Sequence, residues 1–354
     1  MNFSPPIEER DLELVLQATA SLWDQAQGRR IFVTGGTGFF GAWLLESFAY
    51  IRRKMKLDTT LVALSRRPEA FRDKMPHLFR EEGIELIEGD VRDFAFPEGT
   101  FHYVVHAATE ASAKQLAEQP GQMLSTILGG TERTLQFAAE HGTRRFLLTS
   151  SGAVYGRQPS EITRLPESYS GAPDPTQAGS AYGEGKRTSE LLCSLFAKQY
   201  GIDCAIARCW AFCGPHLPLT SHFAIGNFIR DVITGGPIRI GGDGTPTRSY
   251  LYAADLTIWL WTMLFRAPSM RPYNVGSSQG MSIRDLAEAV RDALDSNAEI
   301  ELAAKPQPDG PISRYVPSIE RAEFELELRP TVSLRECIRR TAVWYGWSEN
   351  ATQL

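Results

Sequence analysis

Tyr182 and Lys186 stand four residues apart in the stretch Tyr182-Gly-Glu-Gly-Lys186, at the start of a helical pattern. That spacing puts both side chains on one helix face. A free phenol titrates near pH ~10, too high for a base at neutral pH. An ammonium one turn away favours the phenolate. The pair therefore reads as a general acid/base that takes a proton from a hydroxyl or returns one. Chance alone often produces such a pair; its weight comes from Ser151, which ends the apolar strand of "LLTSSGAVYG". A hydroxyl there can hydrogen-bond the same reacting oxygen. Cys209-x3-Cys213-x2-His216 offers metal-ligand residue types, but it lacks a second ligand pair and lies beside a strand. No metal is expected there.

The redox partner for such a tyrosine is suggested far upstream. In "RRIFVTGGTGFFGAWLLESF", Gly35, Gly38 and Gly41 fall between a strand pattern and a helix pattern. The first glycine permits a tight turn, and the second lets backbone approach a pyrophosphate. The third lets the helix pack closely, and the helix N-terminus holds the anion. In this strand–turn–helix context the spacing predicts a dinucleotide site. After the next strand an acid would bond a ribose 2′-hydroxyl, whereas an arginine would take a 2′-phosphate. The sequence there is "LVALSRRPEAF": Ser65, then Arg66 and Arg67. This favours NADP(H) over NAD, the alternative being a solvated basic turn. Asp90 in "EGDVRD" is placed either to accept from the adenine amine or to cap a helix.

The elements that must hold these residues alternate. "RIFVTG", "TLVALS", "IELIEGD", "FHYVVHAA", "RRFLLTSS" and "DCAIARC" read as strands. Helical patterns cover residues 42–53, 68–82, 112–140 (breaking near Pro120–Gly121) and 180–200. Short apolar strands alternating with helices predict an α/β fold with a Rossmann-type doubly wound parallel sheet. Residues 11–27 form a further amphipathic helix ahead of the first strand. Past Gly214 the texture changes, with Gly and Pro clustered in "GGPIRIGGDGTPTRSY" and helices at 222–234, 253–267, 282–294 and 333–345. The expected division is an N-terminal extension over 1–28, a dinucleotide-binding domain over 29–213, and a smaller mixed α/β substrate-binding part over 214–354 that can lend elements back. The loop-like stretch 158–179 lies between Ser151 and Tyr182, which makes it a candidate flap.

Composition narrows the class. The chain has 354 residues, 43% of them hydrophobic and 22% charged, with a net charge of −5. There is no basic block of the kind nucleic-acid binding requires. No run reaches the ~18 apolar residues of a membrane span, and the acidic N-terminus is no secretory signal. Five cysteines in a well-cored chain read as reduced thiols, so a cytoplasmic location is expected.

With these residues in view, the chain resembles the extended short-chain dehydrogenase/reductases of the nucleotide-sugar epimerase/dehydratase family. The resemblance covers roughly residues 29 to 345. It rests on "TGGTGFFG", "GDVRD", "HAAT", "TSSGAVYG", "YGEGK", "CGP", "GGDGTPTRSYLYAADL" and "YNVGS", in that order. It implies that Ser151, Tyr182 and Lys186 carry a hydride-transfer step, usually at C4 of a nucleoside-diphosphate sugar. It implies that Gly35, Thr37, Gly38, Phe39, Phe40, Gly41, Ser65, Arg66, Arg67, Asp90, Val91, Ala107, Ala108 and Thr109 hold NAD(P), together with Tyr182 and Lys186. Ser151, Gly152, Asn227, Arg248 and Arg314 would bind substrate, the arginines suiting a diphosphate. Members commonly pair through the helices matching 112–140 and 180–200, so a homodimer is expected.

The departures from the family pattern bear on the reaction. Family 4,6-dehydratases carry Asp-Glu directly after the Ser/Thr, and glucuronate decarboxylases usually carry Glu at the second of those positions. Here Gly152 and Ala153 stand there. Two family asparagines are replaced by Thr126 and Ala211. Glu110, Ser112, Lys114 and His222 are polar candidates near the sugar, and Glu110 or His222 would be the relocated acid if there is one. The pattern is nearest the 4-epimerases. The alternatives are an NADPH-dependent 4-ketoreductase, an atypical dehydratase or decarboxylase, and a non-enzymatic dinucleotide sensor.

Overall fold

The computed structural model describes residues 4–80, 82–109, 113–221, 223–305 and 313–348. Glu110, Ser112 and His222 lie outside them. Ile31, Phe32, Val33, Leu61, Val62, Ala63, Val104 and Val105 are all fully buried. When successive residues of a strand are buried, both faces of the sheet must be covered. The elements that achieve this are α1 (Glu9–Thr19), β1 (Arg30–Thr34), α2 (Phe39–Met55), β2 (Thr60–Ser65), α3 (Pro68–Lys74) and β3 (Ile84–Glu88). They continue as β4 (Tyr103–His106), α4 (Ala113–Glu118), α5 (Pro120–Glu140), β5 (Arg145–Ser151), α6 (Ala181–Tyr200) and β6 (Asp203–Cys209).

The sheet has seven strands in the order Pro272–Val275, β6, β5, β4, β1, β2, β3. Every pairing from β6 to β3 is parallel. The chain winds from β1 to one edge, then returns to lay β4 on the other side of β1. Such a reversal leaves a crevice at the carboxyl ends of β1 and β4, where ligands bind in this architecture. The doubly wound Rossmann-type expectation holds. The edge strand Pro272–Val275 was not legible, because four residues opening on proline carry no alternation.

Local chemistry explains the other differences. The N-terminal pattern is one α-helix followed by a 3-10 segment, Ala20–Ala26, rather than a single helix. At the junction Thr19 Oγ1 donates to Val15 O at 2.7 Å and accepts from Trp23 Nε1 at 3.2 Å. Trp23 is thereby set against Trp261 and Phe265, with ring centroids 4.9 and 5.3 Å away. The helix expected over 68–82 stops at Lys74, because Met75 precedes a proline and leaves the helical region (φ −132°, ψ 57°). The break before α5 has the same cause, at Gln119 ahead of Pro120.

The chain divides into two compact units. The first is Met1–Gly156, Gly171–Cys209 and Thr257–Tyr273; the second is Arg157–Ser170, Trp210–Leu256 and Asn274–Leu354. The division after the sheet falls at 209/210, four residues before the expected one, and residues 257–273 return to the first unit. In the second unit, part of the loop expected as a flap is tied down. Gln158 Oε1 accepts from Val316 N, Leu165 N donates to Val316 O, and Ser318 N donates to Leu165 O, each at 2.9 Å.

Inside the first unit a buried polar chain crosses the sheet to two helices. Thr34 Oγ1 lies 2.8 Å from His106 Nδ1, and His106 Nε2 lies 3.1 Å from Thr131 Oγ1 on α5. Thr131 Oγ1 in turn lies 2.9 Å from Ser189 Oγ on α6. Burial, and then the charge of Lys186, push His106 down to about 3. The folded imidazole therefore stays neutral while an unfolded one protonates below pH ~6.5, so stability is lost as pH falls through that range. From pH 7 to pH 5 the expected loss from this group is about 2 kcal/mol. Urea midpoints at the two pH values should differ less in His106→Gln than in the wild type. An equal difference would place the acid sensitivity elsewhere.

Candidate active site

A cavity of about 340 Å³ opens at the carboxyl ends of β1 and β4. The turn after β1 supplies Gly35, Thr37 and Gly38, and the end of β4 supplies Ala107, Ala108 and Thr109. The far wall comes from Gln115, Gln122, Met123, Thr126 and Ile127 on α4 and α5. The glycines are not equivalent. Gly35 has φ +72°, and a Cβ there would sit 2.5 Å from Ala107 O. A Cβ on Gly41 would sit 2.3 Å from the backbone carbon of Gly36, so this residue seats α2 on its own turn. Gly38 is exposed, and a Cβ there would meet nothing nearer than Gly35 O at 3.5 Å, yet it lines the cavity. That combination fits a backbone which a phosphate must approach, at the N-terminus of α2. The cradle thus suits a dinucleotide. Phe39 and Phe40 pack on each other with centroids 5.7 Å apart, and neither they nor Gly41 line the cavity.

At the β2 end, Ser65 and Arg66 line the cavity. Arg67 does not; its backbone N donates to Ser65 Oγ at 3.2 Å and it precedes α3. Asp90 and Val91 line it too. Asp90 closes a turn and binds Arg92, with Nε to Oδ1 at 2.8 Å and Nη2 to Oδ2 at 3.0 Å. Those hydrogen bonds hold its carboxyl below the ordinary range.

Lys186 joins this cavity to the tyrosine. Its Nζ donates to Thr109 Oγ1 at 2.9 Å and to Thr149 O at 2.7 Å. It lies 6.0 Å from the centre of the Tyr182 ring. Burial pushes the ammonium down to about 8. Burial also pushes the half-buried Tyr182 phenol up to about 12, while a hydrogen bond with Ser151 pulls the other way. The protein's own contribution to lowering the phenol is thus Ser151. Lys186 directs its bonds to the strand ends, where the helical spacing alone had it acting on the phenol. Ser151 also accepts from Ala153 N at 3.1 Å, capping the short 3-10 turn that follows. Cys209 lies beside Ser151 in register, and burial raises its thiol to about 12.

Sequence reading passed over the groups that seat α6. Arg208 on β6 binds Glu190 of α6 through two nitrogens at 3.0 and 2.7 Å. Ser150 Oγ donates to Glu190 Oε1 at 2.6 Å, and Arg208 Nη1 donates to Tyr155 Oη at 2.9 Å. Glu190 sits four residues beyond Lys186, a signal available in the sequence. Arg92 was likewise visible in "GDVRD".

Of the substrate candidates, Ser151 and Gly152 are in the first unit and the other three are in the second. Asn227 Nδ2 donates to Ser221 O at 2.9 Å, and its Oδ1 accepts from Arg230 at 3.0 Å. Arg248 and Arg314 occupy neighbouring parallel strands, with Arg248 opposite Tyr315 and Arg314 opposite Thr247. Residues opposite each other share a face and successive ones alternate. The two guanidiniums therefore leave opposite faces, and this ribbon does not bring them together as a pair. Arg248 donates to Thr247 O and Ser313 O, and Arg314 to Ser160 O. Lys114 is 80% exposed beside Glu118, a solvated side chain.

The sequence model of the NAD dependent epimerase/dehydratase family matches residues 31–276. UDP-glucuronic acid decarboxylase 1 of Arabidopsis thaliana is 32% identical over 311 residues, covering 88% of this chain and 68% of that protein. UDP-glucuronic acid decarboxylase 1 of Xenopus tropicalis is 29% identical over 318 residues, covering 90% and 72%. Among solved structures, the Thermus thermophilus UDP-glucose 4-epimerase in complex with NAD superposes with a TM-score of 0.73 at 26% identity, covering 90% of this chain and 99% of that one.

The glycine geometry separates folding from binding. Gly38→Ala should melt like the wild type yet bind NAD(P)H at least about tenfold more weakly. Gly41→Ala should lower the melting temperature outright. Thermal melts and nucleotide fluorescence titrations check both; a Gly38→Ala protein with undiminished affinity would remove the phosphate from that turn.

Proposed function

The chain belongs to the NAD-dependent epimerase/dehydratase family, and we propose that within it this protein is a nucleotide-sugar 4-epimerase. The observation that carries the reading is the neutral pair Gly152–Ala153 directly after Ser151. Expelling the C6 hydroxyl from a 4-keto sugar needs a base for the C5 proton and an acid for the leaving oxygen, and these two residues supply neither. Epimerisation at C4 needs only one acid/base, and Tyr182 with Ser151 is the set in hand. In this reading Tyr182 takes the C4 hydroxyl proton, Ser151 holds the same oxygen, and Lys186 fixes the helix that carries Tyr182. The dinucleotide in the β1–β4 cavity supplies the hydride acceptor and donor. Arg66 favours NADP(H) there.

A second reading is decarboxylation, favoured by the names of the relatives at about 30% identity. A ketone at C4 of a hexuronate places the carboxylate β to the carbonyl, and such acids lose CO₂ without a dedicated acid. The substrate in either case is a nucleoside-diphosphate sugar. Arg248, Arg314 and Asn227, each half-buried, are the proposed contacts to it. We read the protein as a cytoplasmic homodimer. All five cysteines are free and buried. α6 leaves Leu191 and Leu195, one turn apart, and Tyr200 exposed. No helix among the described residues is long and apolar enough to cross a membrane.

A panel of sugar nucleotides followed by NMR tests the reaction. Interconversion of C4 epimers with no net change in cofactor is expected. A pentose nucleotide from a glucuronate nucleotide would establish the second reading, and a 4-keto-6-deoxy product would overturn the argument from Gly152–Ala153. Tyr182→Phe should lower turnover at least ~10²-fold; unimpaired turnover would remove Tyr182 from the chemistry.

A further inference from the structure

One end of the dinucleotide cavity carries two guanidiniums, and one of them is gripped from behind. Asp90 holds Arg92 by its Nε and Nη2, at 2.8 and 3.0 Å, and accepts the Arg92 backbone N at 3.0 Å. A fork held by both carboxylate oxygens is fixed in plane and direction. Its remaining N–H donors are left for another acceptor. The fold gains little from this pair, because the Arg92 side chain is 42% exposed and surface ion pairs contribute little. Arg92 nevertheless lines the cavity, as does Arg66 at the end of β2. The two are close enough for Arg66 to lower the Asp90 carboxyl as well.

The position that would read a ribose hydroxyl is the last residue of β2. It holds the buried Ser65, whose Oγ accepts from Arg67 N at 3.2 Å. Among the described residues, the acid of this region that lines the cavity is Asp90, and it is engaged with Arg92. Among the described residues, this end of the cavity therefore presents two cations to a ligand, and its carboxylate is committed to Arg92. A phosphate monoester matches that chemistry.

We infer that Arg66 and Arg92 together form a subsite for the 2′-phosphate of NADP(H), with Asp90 as the positioning residue for Arg92 and Arg67 outside it. This rests on the reading of Arg66 as selecting NADP(H), and adds the second guanidinium and its anchor.

Titration of the purified full chain with NADPH, NADH and 2′,5′-ADP, read by fluorescence or calorimetry, tests it. Wild type should bind NADPH at least about tenfold tighter than NADH, and should bind 2′,5′-ADP. Arg92→Leu should reduce the NADPH-to-NADH affinity ratio by about tenfold to a hundredfold, the scale of lost charge-assisted hydrogen bonds. Asp90→Asn should reduce it by a smaller factor, and Arg67→Leu should leave it as it is. The NADH titration of each variant reports an intact cavity. If Arg92→Leu binds neither nucleotide, Arg92→Lys decides instead: a reduced ratio supports the subsite and an unchanged one overturns it. Equal affinities for NADPH and NADH in the wild type would overturn both the cofactor reading and the subsite. A preference that survives in Arg92→Leu would overturn the subsite alone, leaving Arg66 as the discriminator.

Discussion

A buried ammonium organises the first unit of the molecule. Lys186 donates to Thr149 O at the end of β5 and to Thr109 Oγ1 just past β4. A charge out of water is tolerated only where such oxygens are in place. Those oxygens exist only where the parallel strands end together, so the bond fixes the helix carrying Tyr182 against one point of the sheet. The same face of α6 repeats the device. Ser189 joins the His106 chain, and Glu190 joins Arg208 and Ser150. Tyr182, Lys186, Ser189 and Glu190 thus form one stripe, in which the phenol is followed by three polar tethers. The phenol is positioned by a helix that is bonded to the sheet along its length.

Wherever the signal was local, it was legible. The strands and helices of the first unit follow from apolar runs and from prolines at Pro76 and Pro120. The three glycines announce a turn whose roles the backbone geometry bears out, Gly35 through its positive φ and Gly41 through its contact with Gly36. The pairing of Tyr182 with Lys186 on one face needed only the helical period. The expected action of Lys186 on the phenol was less secure, because it depended on where the lysine's other acceptors lie.

The remaining features depend on contacts between distant residues. Nothing in "PYNV" marks an edge strand, because its partner is β6, more than sixty positions earlier. The stretch 158–170 reads as a loose loop by composition, yet backbone and side-chain bonds to residues 316–318 hold it. Arg248 and Arg314 look alike as diphosphate ligands until the register of their strands assigns them opposite faces. Arg92 is the local exception, since its partner Asp90 is only two residues away.

The dry lysine also carries a penalty for the fold. With its ammonium shifted from 10.5 to about 8, the native state at neutral pH is weakened by about 3 kcal/mol relative to one with an unperturbed lysine. That is a sizeable fraction of the net stability of an ordinary domain. Selection for robustness alone would favour an apolar residue at this position. Its persistence would mark turnover as the trait under selection, and a lineage released from that demand would be expected to lose the lysine early.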